Sequence, residues 1–241
     1  MCIKKIFYEI HSGFSRAVLS VFFVLVFVLV AGCAQSTSWK MPWESVSQSD
    51  RLKEKYGLTA DQRIEKVQLL ASKVRRAEIS EQESFTETLV QSMLAEHDPR
   101  VRIRILGIAS TFETPAAFSI CRGALEDPDS KVRMAACDAW GKRGGTEAVE
   151  LLSHRYQTDS DIDVRLRAVR MLGDSKAESA IPVLAKALED PDPAVQYRAV
   201  TSLKNVSGRD LGNDVNRWRN WAADPSSEPD WSMAETLRKV F

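Results

Sequence analysis

Helical periodicity begins around Asp50 and is clear from Asp61, where apolar residues recur three and four positions apart, the spacing of one face of an α-helix. Ile64, Val67, Leu70, Ala71 and Val74 form the first such face, with Glu65, Lys66, Lys73, Arg75 and Arg76 mostly on the other side. Phe85, Leu89, Val90, Met93 and Leu94 form the second. From about Glu96 the pattern repeats itself. Four segments share one wording: Asp98-Pro-Arg-Val101-Arg102, Asp129-Ser-Lys-Val132-Arg133, Asp161-Ile-Asp-Val164-Arg165 and Asp192-Pro-Ala-Val195-Gln196. Their valines lie 31, 32 and 31 residues apart. A period of this length, carried by helical spacing, marks a stack of helix pairs in which each pair buries its apolar stripe against its neighbours. No stretch shows the strict alternation of a half-buried strand. The expected fold class is therefore all-α, an α-solenoid.

Each repeat opens with an aspartate where a helix N-cap belongs. There the carboxylate can accept from free backbone N–H groups and meet the positive end of the helix dipole. Pro99 and Pro193 follow directly, at a first helical position that has no use for an N–H. Four residues after each valine stand Ile105, Ala136, Ala168 and Ala199, and eight after it Ala109, Trp140, Leu172 and Leu203. These share the valine's face, and the small residues midway let helices approach closely. Gly141 and Gly173 are expected to help end their helices. Second helices are expected to start at Thr114-Pro115, Thr146 and Ser179, and acidic turns such as Glu126-Asp127-Pro128 and Glu189-Asp190-Pro191 return the chain to the next first helix.

Outside the array, residues 61–95 read as a degenerate capping pair and 96–210 as the repeats. Residues 211–241 read as a C-terminal cap with Trp218 and Trp221 on one helical face and a last amphipathic turn or two over Ser232 to Phe241. Residues 33–60 read as a flexible tether. Its Ser-, Thr- and Gln-containing part carries Trp39 and Trp43, which suit a membrane interface or the first helix.

The N-terminus has another grammar. Lys4, Lys5 and Arg16 precede an unbroken apolar run from Val21 to Val30, and small residues follow, which is the pattern of a secretory signal over residues 1–32. The run is short for a membrane span, which needs about 20 apolar residues. Val30-Ala31-Gly32-Cys33 resembles the lipobox of bacterial lipoproteins. The resemblance implies that Cys33 is diacylated and becomes the mature N-terminus, a palmitate-type lipid being its only covalent addition. Two or three acyl chains hold a protein firmly to a bilayer. In that family an aspartate after the cysteine retains the protein at the inner membrane. Ala34 stands there, so the resemblance implies the periplasmic face of an outer membrane. The alternative is an uncleaved signal anchor in which Cys33 is an ordinary thiol.

Charge changes the picture little. Without residues 1–32 the chain keeps 30 basic against 32 acidic side chains, and nothing in that balance points to nucleic acid. An oxidising envelope would let Cys121 and Cys137 pair, yet both occupy apolar helical positions where a free cysteine serves as a small core residue.

The wording Asp-Pro-Asp-x-x-Val-Arg, then a small-residue helix, a glycine and a helix ending Ala-Leu-Glu-Asp, resembles HEAT repeats over roughly residues 96–206. The likeness is to the short variety associated with phycobilisome lyases, and it implies an armadillo-type αα superhelix. HEAT repeats often pair an inter-helix aspartate with an arginine six residues on. Asp98 with Arg104, Asp161 with Arg167 and Asp192 with Arg198 match that spacing, while Asp129 meets Ala135 and interrupts a continuous ladder.

No catalytic constellation accompanies this grammar. His97 and His154 lack Cys-x-x-Cys or His-x-x-x-His companions for zinc. Gly144-Gly145 has neither a preceding strand nor the lysine of a phosphate loop, and no serine sits in a Gly-x-Ser-x-Gly elbow. Arg100, Arg102, Arg104, Arg133, Arg165, Arg167, Arg170 and Arg198 recur with the period and would suit phosphates. Acidic residues recur at the same period, so intramolecular bonding is the favoured reading. The expectation is a lipid-anchored, cell-envelope scaffold for unidentified protein partners, held to the membrane by its lipid. It has no nucleic acid, metal, cofactor or small-molecule substrate and is not an enzyme. Two alternatives are an accessory to an enzyme or chromophore-attachment system, and a structural envelope linker.

Overall fold

In the computed structural model the described residues are 48–224, and they contain eleven α-helices, two 3₁₀ turns and no strand. The chain divides into two units, Met1–Tyr56 and Gly57–Phe241. In the first, α1 (Gln48–Tyr56) is a helix within the stretch expected to be a tether, with Leu52 and Tyr56 exposed. Cys33, its lipobox neighbours Val30, Ala31 and Gly32, the signal segment 1–32, Trp39 and Trp43 lie outside the described residues. So do Ser232 to Phe241.

The second unit begins with α2 (Ala60–Val74) and α3 (Ile79–Ala95). Then follow α4 (Pro99–Ala109), α5 (Pro115–Gly123), α6 (Ser130–Arg143), α7 (Gly145–Thr158), α8 (Ile162–Asp174), α9 (Ile181–Ala187), α10 (Pro193–Ser207) and α11 (Val215–Ala223). The even-numbered helices pack in one row, α2 on α4, α4 on α6, α6 on α8 and α8 on α10. Odd-numbered helices each pack on the partner before them, and α11 closes the end against α9 and α10. The core runs along the interface of the two rows. Val101, Val132, Val164 and Val195 are all buried, as are Ile105, Ala136, Ala168, Ala199, Ala109, Trp140, Leu172 and Leu203.

Local chemistry explains the helix starts. Asp98, Asp129, Asp161 and Asp192 each accept the backbone N–H two residues on, at 2.8–2.9 Å. Thr114 Oγ1 caps α5 through Ala117 N. It also meets Thr86 Oγ1 of α3 at 2.7 Å, which satisfies both buried hydroxyls.

Three expectations need correction. Gly141 and Gly173 end nothing, because α6 runs on to Arg143 and α8 to Asp174. Their role is contact: a Cβ on Gly141 would stand 2.7 Å from Met171 Sδ, and one on Gly173 2.5 Å from Ser202 Cβ and 2.6 Å from its Cα. The missing side chains let α6 approach α8 and α8 approach α10. The N-cap of α7 is Gly144 at φ +68°, a left-handed backbone that glycine adopts without strain, and Thr146 falls inside the helix. Ser179 lies in a 3₁₀ turn, Glu178–Ala180, and α9 starts only at Ile181.

The two ends of the unit differ. At the C-terminal end Trp218 is fully buried, its Nε1 donating to Gly212 O at 3.0 Å, and its ring stands edge-on to Trp221 at 5.5 Å. At the N-terminal end Leu70 and Leu94, placed by periodicity on apolar faces, are 42% and 77% exposed. Periodicity identifies the face of a helix but not whether a neighbour covers it.

Candidate functional site

The repeated turn holds a buried ionic ladder. Two residues before each capping aspartate stands a second acid: Glu96, Asp127, Asp159 and Asp190. Each accepts the capping residue's own backbone N–H at 2.9 Å. An arginine from the preceding repeat then grips the same carboxylate with two parallel bonds. Arg63 holds Glu96 at 2.8 and 3.0 Å, Arg102 holds Asp127 at 2.8 Å twice, and Arg133 holds Asp159 at 2.8 and 2.9 Å. At the fourth rung Asp190 receives the Tyr156 hydroxyl at 3.2 Å instead. The arginine following the valine also reaches back six residues to a carbonyl, Arg102 to Glu96 O, Arg133 to Asp127 O and Arg165 to Asp159 O, with Gln196 doing the same to Asp190 O.

The six-residue interval therefore exists, but it joins other partners than expected. Asp98, Asp161 and Asp192 spend their carboxylates on helix caps, and Asp98 takes Arg100 as its ion-pair partner at 2.9 Å. Arg167 goes to Asp138 of the preceding first helix at 3.0 Å. Arg104 is exposed, and neither it nor Arg198 forms an ion pair among the described residues. The reason is rotational: three positions past the valine is about 300° around a helix, away from the turn, whereas one position past is about 100°, at its edge.

Electrostatics at the ladder follow from burial and partners. Desolvation works against the charged form of Asp159, but Arg133, the Asp161 N–H and Arg155 outweigh it and hold the carboxyl below its usual range. Glu96 is lowered in the same way, burial being overcome by Arg63 and the Asp98 N–H. Arg155, itself buried, binds Asp159 at 3.2 Å and also Glu126 of the preceding repeat.

The ladder splits the recurring arginines into two sets. Arg102, Arg133 and Arg165 are internal. Arg104, Arg167, Arg170 and Arg198 lie on the outer side of the first-helix row. The same face carries Ile103, Met134, Leu166 and Tyr197, each two positions past its valine and none of them buried. Met134, Asp163, Leu166, Arg167, Arg170 and Arg198 line a shallow groove of about 250 Å³ between α6, α8 and α10. On the other row the exposed charges of α3 and α7 are Glu81, Glu83, Glu87 and Glu150.

Reactive groups do not converge here. Cys121 and Cys137 are free and buried, and burial pushes both thiols up, Cys137 to about 12. His97 and His154 are exposed and far apart in sequence. No group of three His, Cys, Asp or Glu side chains among the described residues is placed to hold a metal. Sequence reasoning weighed the arginines but passed over the apolar stripe. Its signal was present, an apolar residue at the same register of every repeat, of which Ile103, Met134 and Leu166 pack partly against the core and Tyr197 is 57% exposed.

A family description of HEAT repeats matches residues 86–165 and again 154–215. No curated protein matches the chain.

Proposed function

The chain belongs to the HEAT-repeat family, and from this we propose that it is a lipid-anchored envelope scaffold that binds a protein partner along its repeats. HEAT repeats generally mediate protein–protein interaction, because a row of stacked helix pairs offers a long, rigid surface. The observation that carries the reading is the outer face of the first-helix row, where Arg104 and Arg198 form no ion pair among the described residues and Tyr197 is 57% exposed. The Val30-Ala31-Gly32-Cys33 wording supports attachment through lipid on Cys33. Among the described residues no helix is long and apolar enough to cross one.

Two measurements test the proposal. Crosslinking in intact cells, followed by identification of what is attached, is expected to give a specific protein adduct. No adduct, together with a turnover activity of the purified chain, would refute the scaffold. Replacing Cys33 with Ser is expected to release the protein from membranes and remove the mass of its acyl chains. Retention with unchanged mass would refute the anchor.

A further inference from the structure

We infer that the N-terminal end of the array is a dimerisation face, on which a second copy of the chain packs two-fold, the basic stripe of each α2 lying against the acidic stripe of the other copy's α3. This goes beyond the scaffold reading and does not depend on it.

A stack of helix pairs can end in water when its last pair turns a polar face outward. The C-terminal end meets that requirement, with Trp218 and Trp221 both buried. The N-terminal end does not. Leu69 is 57% exposed and Ile79 72%, beside Leu70 and Leu94. Apart from Tyr197, these are the large apolar side chains exposed among the described residues of the second unit.

Register shows what neighbour is missing. Arg63 of α2 grips the next turn as Arg102 and Arg133 do, so counting from it aligns α2 with the later first helices. Leu70, seven residues on, matches Ala109, Trp140, Leu172 and Leu203, all buried. Leu69, six residues on, matches Ile108, Ala139, Met171 and Ser202, also buried. Met171 and Ser202 are the residues that stand against Gly141 and Gly173 of the first helix before them. Leu69 therefore occupies the place where α2 would receive a preceding helix. Leu94 of α3 shares its register, two residues before the ladder acid, with buried Leu125 and Leu188 and with exposed Gln157.

Charge selects the occupant. With Arg63 spent on Glu96, residues 61–76 keep Lys66, Lys73, Arg75 and Arg76 against Asp61 and Glu65. Residues 78–95 carry Glu78, Glu81, Glu83 and Glu87 and no basic side chain. None of these forms an ion pair among the described residues. Around the α2 axis Lys66 and Lys73 fall between Leu69 and Leu70, and Asp61 and Glu65 fall about 90° or more to one side. On α3, Ile79, Glu83, Glu87 and Leu94 fall within about 80° of one another. Each stripe is thus complementary to the other and not to itself. A two-fold axis running between α2 and α3, parallel to both, sets α2 of each copy antiparallel on α3 of the other. Basic then meets acidic twice over, and the leucines are covered. A head-to-tail contact would instead set this face on α11, whose Asp214 and Arg217 already pair with each other.

The test is sedimentation equilibrium of the full-length protein in density-matched neutral detergent. A reversible dimer is expected, weakened about tenfold by raising salt from about 50 to 300 mM. Leu69→Glu is expected to weaken it about tenfold or more, and Tyr197→Glu to leave it unchanged. Lys66→Glu with Lys73→Glu makes both stripes acidic, and Glu83→Lys with Glu87→Lys makes both basic, so each variant alone is expected to be monomeric. Mixed together they are expected to form a heterodimer, which variants that had lost their fold would not do. A wild-type chain that stays monomeric, charge variants that dimerise as well as wild type, a mixture that stays monomeric, or masses that grow beyond two copies would overturn the inference. A photo-crosslinker at position 69 identifies any other occupant. An adduct with the chain's own residues 34–47, with lipid or with a different protein, and none between copies, also overturns it. The last of these leaves the scaffold standing and removes the dimer, whereas a dimer with no foreign adduct in cells counts against the scaffold alone.

Discussion

Arg133 grips Asp159 across the boundary between two repeats, Nε to Oδ2 at 2.8 Å and Nη2 to Oδ1 at 2.9 Å. Asp159 is one of the most enclosed charges in the array, its side chain 1% exposed, and it also accepts from Arg155 and from the Asp161 N–H. Every acceptor site of that carboxylate is used. Removing it would leave two guanidinium groups facing each other in a dry turn. Asp159→Ala is therefore expected to cost about 3–5 kcal/mol, the range for breaking a buried pair, read by chemical denaturation. A much smaller loss would mean that water reaches the turn.

The ladder also sets the acid limit. Glu96 and Asp159 have folded pKa values below their ordinary 4.5 and 3.8. A carboxyl depressed by folding contributes stability that is present above its unfolded pKa and lost as pH falls through the folded one. Thermal unfolding scans are expected to drop steeply below about pH 4, and Asp159→Asn is expected to flatten that drop.

Alkali acts through other groups with the opposite sign. Burial pushes the Cys137 thiol to about 12 from 9.0, and burial with the Asp190 charge pushes Tyr156 to about 12 from 10.0. The folded chain then holds protons that the unfolded chain releases, so stability present below pH 9 declines as pH rises towards 12. Cys137→Ala with Tyr156→Phe is expected to shift the alkaline unfolding midpoint upward, as followed by circular dichroism.

Two glycines of the same register are expected to differ. A Cβ at Gly173 meets the Cα of Ser202 at 2.6 Å, so backbone must move. At Gly141 the near atoms all belong to the flexible Met171 side chain, the closest being Sδ at 2.7 Å. Gly173→Ala is expected to cost about 1–3 kcal/mol by overpacking, and Gly141→Ala less. Equal melting temperatures for the two variants would contradict this geometry.

Trp218 closes the C-terminal end, and in a stack whose members touch only their neighbours an end frays locally. Trp218→Ala is expected to cost about 3–5 kcal/mol and to expose amides of α10 and α11 to hydrogen exchange first. Protection in α4 should persist. Uniform loss across the array would mean that the unit unfolds as one block.

The helical class and the repeat were legible in the chain because both depend on near neighbours. Val101, Val132, Val164 and Val195 announce the period, and a spacing of three and four residues announces the helix. Ladder partners were not legible. Arg133 could bond either of two acids in adjoining turns, and only its rotation on the helix sends it to Asp159 rather than to Asp161. The outer face of the first-helix row was half legible. Its arginines recur openly, but nothing along the chain distinguishes internal Arg102 from exposed Arg104.

Residue order thus dictated where helices begin, which stripe of each is apolar, and that the pairs stack, since capping and helical period act within a few residues. Packing in three dimensions dictated what order leaves open. It made Gly173 a point of contact rather than a helix end, because helix approach depends on residues some 30 positions away. It buried Trp218 against α9 and α10 while leaving Leu94 in solvent, because burial is a property of the neighbour and not of the residue.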